Sequence, residues 1–532
     1  MAGAGGPGAG RQGVRVIDFF DAAVKYYARH TAFVEADTGN RMTYAEADVA
    51  AHHVAAAVRG HGYAKGVHVG ILAPNSTAAF STLVGLFRAE CVWLPINPRN
   101  SIETNVEVLR FCDCELLFYH SSLEADALRI KSAVAGIRDL VCLDRSGTGV
   151  PSLAEWADGF RHRFEIGPEE DGDLLAIIPT GGTTGTFKAV MMAHHAVETM
   201  FANSYAHFRY HDGSVHLLAA PMTHAAGMLG CMHFARGGSN VMLSRPEPEA
   251  VMRAIESYRV THLFLPPTVL YKMLDHPRVR DYDYSSLIHF IVAAAPTSVA
   301  KLKQAIEVFG PVMTEGFGQT EAPAMITAKA PWDYVGADRR INERRLASAG
   351  RPCVLNHVEI MADDGNFCPP GQAGEIVVRG RLVNPGYYKN PEATAEAHRF
   401  GWHHTGDVGV MDEDGYITIV DRKKDMIITG GFNVFSNEIE QVIAAHPAVQ
   451  ECAVIGVPDE KWGESIKAVV VLRGDDVVTA EELMLLVRAQ LGAVKCPRSV
   501  EFTAELPRSP VGKVLKAELR KPHWRGRSRA VN

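Results

Sequence analysis

The sequence predicts an α/β protein in two unequal parts. The larger is an N-terminal domain of doubly wound, mostly parallel sheets with an added β-rich portion; the smaller is an α+β C-terminal domain. Three observations carry this reading. Strands and helices alternate over residues 261–314, composition turns toward short strands and turns after Ser348, and a charge cluster at Asp421–Asp425 sets off a compact final unit. At 532 residues the chain is also too long for one ordinary core.

Leu174–Ile178 is a short apolar run that reads as a strand, and Val190–Met192 begins another, so residues 180–188 form a strand-to-strand turn. Thr261–Leu265 reads as a strand, and Pro266-Pro267 opens a helix to about Leu274. Ile288–Ala293 is the next strand, Ser298 is placed to cap a helix running to about Phe309, and Pro311–Thr314 is a third strand. This β-α-β-α-β order implies a parallel sheet. It puts Ala293–Pro296 and Gly316–Glu321 just beyond strand C-terminal ends, where open α/β sheets bind ligands. Residues 374–380 and 415–420 read as β. Beyond the charge cluster come a helix over Glu438–Ala445, strands at Val454–Val457 and Ala468–Leu472, and a helix over Ala480–Leu491. Thr479 and Glu482 have capping-box spacing for that last helix, and Leu483, Leu486, Val487 and Leu491 share one of its faces.

Composition narrows the function classes. A 47% hydrophobic and 22% charged chain is globular, and no apolar run approaches the ~18–20 residues of a membrane span. A formal net charge of −7 argues against nucleic acid as a main partner. The nine cysteines are scattered with no C-x-x-C pair, which suits a reducing cytoplasm and argues against structural zinc or a disulfide framework. Residues 1–13 are Gly/Ala-rich without an apolar core and read as a disordered extension, not a signal peptide. Residues 14–421 and 422–520 are the two expected domains, and the basic tail 521–532 reads as a solvated terminus.

The loop Thr180-Gly-Gly-Thr-Thr-Gly-Thr-Phe-Lys188 collects small and hydroxyl residues around a lysine. Backbone N–H groups, hydroxyls and one ammonium in such a loop suit a polyphosphate. It is no Walker A loop, which joins a strand to a helix and has Gly and Lys adjacent; here Thr186 and Phe187 intervene. Three later segments accompany it: Gly316-Phe-Gly-Gln-Thr-Glu321, Thr405-Gly-Asp407 with Asp421-Arg422, and Pro510-Val-Gly-Lys513.

In this order, and over about residues 20–520, the four segments resemble the adenylate-forming superfamily of acyl- and aryl-CoA synthetases, luciferases and peptide-synthetase adenylation domains. The runs Asp421–Gly431 and Val457–Glu464 are most similar to bacterial fatty-acyl and aryl carboxylate–CoA ligases. The resemblance implies ATP, Mg²⁺ and coenzyme A as cofactors, a small carboxylic acid as substrate, and a mobile C-terminal domain. A carboxylate is a poor electrophile; joining it to AMP supplies a leaving group that a thiolate displaces. The first step needs charge neutralisation and positioning more than acid–base chemistry.

Residue by residue, the resemblance assigns Thr180, Gly181, Gly182, Thr183, Thr184, Gly185 and Lys188 to the β- and γ-phosphates. Glu321, with Thr184, falls to Mg²⁺, and Thr320 to the α-phosphate. Phe317, flanked by Gly316 and Gly318, would stack on adenine, with Ala295 and Pro296 beside it. Asp407 would accept from the ribose hydroxyls and Arg422 would reach the same sugar. Lys513 would be the catalytic lysine of adenylation, Lys424 the hinge about which the C-terminal domain rotates, and Gly430-Gly431 part of the pantetheine tunnel. His224, in Pro221-Met-Thr-His224, would border the acyl and CoA sites, with Thr223, Ala225, Ala226 and Gly227 leaving room for an acyl group. The chain departs from the family at Gly181, Phe187, Ala189, Ala293 and Ala294, where Ser, Pro and three Gly are common. Two alternatives stand beside the ligase: an adenylating enzyme that hands its acyl group to a carrier protein or other acceptor, and a nucleotide-binding relative without catalysis. Monomer and homodimer are both compatible with the sequence, and the acid is left open among fatty, aryl and alicyclic or steroid-derived types.

Overall fold

The computed structural model describes residues 13–145, 149–170, 172–180, 187–295, 297–336, 338, 340–474, 477–509, 513–525 and 529. The predicted turn at Gly181–Gly185, Pro296 and most of the N-terminal extension lie outside them.

Among the described residues the strands form four sheets. In the nine-stranded sheet the strands Met313–Phe317, His289–Val292, His262–Leu265, Val215–Leu218, Ser239–Met242 and Thr31–Glu35 run parallel in that spatial order. The expected β-α-β-α-β unit is its core, with helices Pro267–Leu274 and Val299–Phe309 as the crossovers. Two details differ from expectation. The third strand runs on through Phe317, so Gly316 and Phe317 are in the strand and the turn starts at Gly318. Ser298 stands at the N-cap position, yet its side chain makes no cap bond; its N–H donates to Tyr271 Oη at 2.8 Å.

The seven-stranded sheet holds Leu174–Thr180 and Lys188–Ala193 as an antiparallel pair at its margin, as the turn between them required. Gly386–Tyr387 adds a short edge strand to that sheet, and the first 170 residues, which carry none of the motifs, supply its other four strands and the helices packed on them. There Tyr44–Gly60 and Thr77–Arg88 pack closely. A Cβ on Gly85 would come within 2.5 Å of Val54 Cβ, so this helix contact requires glycine. Thr43 and Glu46 close a capping box at the start of the first of these helices.

A row of buried histidines crosses the nine-stranded sheet. His216, His262 and His289 stand in register on three adjacent strands, and His233 stacks on His216 with ring centroids 4.9 Å apart. The backbone N–H of Arg209 donates to His289 Nε2 at 2.9 Å, and the carbonyl of Arg209 bonds His262 Nε2 at 2.9 Å.

A four-stranded antiparallel sheet runs from His357–Met361 to Ile417–Arg422, and the chain enters the last sheet at Ile427–Thr429. Helices Ser436–Ala444 and Ala480–Leu491 cover that sheet, and the Thr479–Glu482 capping box is present. The expectation of a solvated basic tail holds for Lys521, Pro522, His523 and Arg525, which are exposed, but not for Trp524 and Arg529, and Arg520 just before the tail is also tied down. Arg520 pairs with Asp425 at 2.7 Å, Trp524 Nε1 donates to the Gly456 carbonyl, and Arg529 binds Glu464 and the carbonyls of Lys424 and Met426. No helix among the described residues is long and apolar enough to cross a membrane.

Candidate active site

The strand His403–Met411 sets Asp407 directly across from Arg422 in the antiparallel register. Asp407 is 6% exposed. Its Oδ1 lies 3.4 Å from Arg422 Nε and its Oδ2 accepts from Gln319 Nε2 at 3.0 Å. Gln319 also donates to the Thr405 carbonyl at 2.6 Å, and its Oε1 lies 3.3 Å from His403 Nε2. The Thr405 hydroxyl accepts from the Asp407 N–H and donates to the Ile376 carbonyl. The buried carboxylate is thus held between Gln319 on one oxygen and Arg422 on the other. Gly406 adopts φ +70°, which only glycine takes without strain, and this turn brings Asp407 to the end of the cradle.

Gly318 makes the turn after Phe317 possible: a Cβ there would sit 2.5 Å from the Ala324 backbone. Glu321, at the end of this turn, accepts from Tyr387 Oη at 2.7 Å through Oε1. Asn384 ties down the same turn, donating through Nδ2 to the Thr320 carbonyl and through its N–H to the Glu321 carbonyl, each at 2.8 Å. Lys188 begins its strand opposite Thr180, whose hydroxyl donates to the Lys188 carbonyl, and its ammonium lies 4.9 Å from the centre of the Tyr387 ring. Ala294 has φ +75°. That left-handed conformation is why glycine is common at this position, and alanine costs about 1 kcal/mol there. Ala293 and Ala295 are half-buried.

Lys513 is brought to the same place from the C-terminal domain. Arg508 and Val514 form a bridge around it, Ser509 N–H donates to its carbonyl, and its own N–H donates to Ser509 Oγ. Burial, and then the Arg422 guanidinium, push its ammonium down to about 7, against the opposing pull of Asp407. Lys424 is also lowered by burial and by Arg422. Asp421, raised by burial, accepts from the Ser436 hydroxyl, which in turn accepts from Lys516 Nζ at 2.6 Å; Lys516 also pairs with Glu440 at 2.6 Å. Gly430 and Gly431 have φ +58° and +82°, and a Cβ on Gly430 would strike the Trp462 ring at 2.6 Å.

His224 stands at the N-cap of helix Ala225–Met232, and its Nε2 lies 3.1 Å from Asn97 Nδ2. Since the amide nitrogen is a donor, Nε2 accepts and the ring is neutral; burial, then Arg99, lowers it to about 4. At Gly227 the room expected beside it is filled by backbone. Thr223, Ala226 and Gly227 are buried, and a Cβ on Gly227 would sit 2.1 Å from the Met222 carbonyl oxygen. The missing side chain of Gly227 serves a tight turn, and of these four small residues only Ala225 is exposed.

The structure therefore joins Asp407, Arg422 and Lys513 in one cluster, and links Lys188 to Glu321 through Tyr387. Sequence reasoning left Gln319, Tyr387, Asn384 and Asn97 unassigned. Gln319 lies inside a recognised motif and was within reach; Asn97 sits in a stretch with no motif at all.

Two family models match the chain. One, described as AMP-binding enzyme, covers residues 20–388, and one for the AMP-binding enzyme C-terminal domain covers 438–513. The chain is 38% identical to the medium/long-chain-fatty-acid–CoA ligase FadD8 of Mycobacterium tuberculosis over 67% of its own length and 63% of that protein's. It is 35% identical to a feruloyl-CoA synthase of an Amycolatopsis species over 91% of this chain and 94% of that one. The fold superposes on the amide bond synthetase McbA of Marinactinospora thermotolerans with a TM-score of 0.86 at 28% identity, covering 95% of this chain and 99% of that one. ATP-bound MatB of Rhodopseudomonas palustris gives the same TM-score and identity, with 96% and 99% covered. With a family model over more than half its length and near full-length relatives, the chain belongs to the AMP-binding enzyme family.

Proposed function

We propose that this enzyme is an ATP-dependent carboxylate–CoA ligase. A carboxylate oxygen attacks the α-phosphorus of ATP, giving acyl-AMP and PPi; the coenzyme A thiolate then attacks the acyl carbonyl and AMP leaves. The observation that best supports this reading is the meeting of Asp407, Gln319, Arg422 and Lys513 from both domains. A polar cradle with an ammonium beside it suits adenylation, which depends on neutralising charge at the α-phosphate. Relatives that are CoA ligases along nearly their whole length point the same way.

In this reading Asp407 accepts from the ribose hydroxyls, Phe317, Ala295 and Pro296 border adenine, and the 180–188 loop with Lys188 faces the outer phosphates. Lys513 brings its charge to the substrate carboxylate and the α-phosphate. Glu321 fits Mg²⁺, an ion held by one or two carboxylates together with phosphate oxygens. It offers a single carboxylate with Oε1 bonded by Tyr387 and Oε2 without a protein partner among the described residues. Bound Mg²⁺ supplies positive charge to the phosphates. Lys424 is the hinge and Gly430-Gly431 lines the pantetheine path. The substrate class is a fatty, aryl or alicyclic acid. Nine free thiols support a cytoplasmic setting.

A second reading, transfer to a carrier protein or another acceptor, is favoured by the likeness to an amide bond synthetase. PPi release and CoA consumption across a panel of carboxylic acids separate the two. The ligase consumes one CoA per PPi on its preferred acid; PPi release with CoA untouched by every acid overturns it.

A further inference from the structure

Lys188 and Glu321 belong to different sheets. Lys188 opens a strand of the seven-stranded sheet, and Glu321 ends the turn that leaves the nine-stranded sheet. An ammonium and a carboxylate both aimed at one ligand site face a specific hazard. If they meet, they neutralise each other and neither is left for the ligand. No ion pair joins them among the described residues. Instead the Tyr387 side chain stands between, with its hydroxyl on Glu321 Oε1 at 2.7 Å and its ring face 4.9 Å from Lys188 Nζ. A phenol suits this position: its O–H donates to the carboxylate, and its π face attracts the ammonium without a proton or a counter-charge.

The backbone holds the ring in place. Gly386–Tyr387 forms a two-residue strand against Lys188–Ala193, with Tyr387 opposite Val190, and the Tyr388 N–H donates to the Ala189 carbonyl at 2.8 Å. Asn384 fastens the other end, accepting from the Ala193 N–H while bonding both carbonyls of Thr320 and Glu321. Residues 384–388 therefore clasp the edge of one sheet to the turn of the other.

We infer that Tyr387 is a positioning residue for adenylation: it fixes the spacing between the phosphate-facing ammonium of Lys188 and the metal-facing carboxylate of Glu321, and keeps both available to Mg²⁺·ATP. The inference rests on the roles given above to Lys188 and Glu321. It assigns no part to Tyr387 in thioester formation, where PPi has already left.

The test is calorimetric titration of ATP into the full-length protein over a range of Mg²⁺ concentrations, with Tyr387→Phe, Tyr387→Leu and Glu321→Gln beside the wild type. Tyr387→Phe keeps the ring and loses the donor. Its half-saturating Mg²⁺ should rise about tenfold, the loss expected for one hydrogen bond to a charged group, while ATP binding without Mg²⁺ stays at the wild-type value. Tyr387→Leu removes the ring as well and should weaken ATP binding in both conditions. Conversion of supplied acyl-AMP to acyl-CoA should stay within about twofold in both variants, a split that general unfolding would not give. Wild-type Mg²⁺ dependence in Tyr387→Phe, with Glu321→Gln shifted, overturns the role of Tyr387 alone. Unshifted dependence in Glu321→Gln overturns the metal assignment and this inference with it. Parallel loss of both half-reactions in Tyr387→Phe reduces Tyr387 to a fold residue and also overturns the inference.

Discussion

Lys513 carries an ammonium that its surroundings disfavour. Burial and the Arg422 guanidinium together outweigh Asp407 and bring its pKa to about 7. A lysine is charged below its pKa, and the role proposed here needs the charge. Activity of the free enzyme toward ATP should therefore be lost as pH rises through about 7. Phosphate charge in the bound state pulls the same proton back, so kcat should decline at a higher pH than kcat/KM. Lys513→Arg, which keeps its charge throughout, should lower the rate and flatten the kcat/KM profile. PPi release measured between pH 6 and 9 decides it. An unchanged inflection in the arginine variant would show that another group titrates. The Gly-to-Ala departure at Ala294 belongs to the same scale: φ +75° makes it a local strain of about 1 kcal/mol, small beside the stability of a whole domain.

Among elements, helix Ala225–Met232 overturns one expectation and replaces it with another. Gly227 was legible as small and illegible as to why. A missing side chain reads the same in a sequence whether it leaves space for a ligand or avoids a carbonyl, and here the Met222 oxygen occupies the space. Ala225 is the residue at the open end of the helix. Ala225→Phe should shift preference toward smaller acids by excluding volume, whereas Gly227→Ala should lower stability by about 1–3 kcal/mol, the usual cost of overpacking, with the rank order of acids kept. A panel of acids run beside thermal unfolding tests both; a reordered panel in Gly227→Ala would return that residue to the pocket. The same contrast explains what else was legible. The strand–helix alternation over 262–317 and the Thr479–Glu482 cap are local patterns and were read correctly. Tyr387 and Asn384 act on residues more than 60 positions away, and Asn97 acts on one 127 away. No window of sequence contains those contacts.

At the scale of the whole molecule, the proposed rotation turns on a hinge that is already braced on one side. Arg529 holds the carbonyls of Lys424 and Met426 together with Glu464, so the peptide leaving the hinge is part of the C-terminal domain. On the other side Arg422 and Lys423 are tied to the N-terminal domain through Asp407 and through Asp363 with Glu375, contacts that the rotation must exchange. The sheet beneath the nucleotide cradle sets a different limit, an acid one. His289 Nε2 accepts the Arg209 N–H, a bond that a protonated ring cannot make. Burial brings His216 and His289 to about 4 and lowers His233 and His262 well below their ordinary value. An unfolded chain gives each ring its ordinary value near 6.5, so between pH 6.5 and 4 the unfolded state takes up protons that the folded state refuses. Stability is fully present above that window and falls through it, by on the order of 3 kcal/mol for each of the two rings. Against a typical total of about 5–15 kcal/mol, the row alone can exhaust the margin. Unfolding midpoints recorded at steps from pH 7 to 4 should drop with a slope of two protons or more, and a flat response would show that the imidazoles find water or partners as the sheet opens. A patch of sheet with no part in the chemistry thus decides how acidic a compartment this enzyme survives.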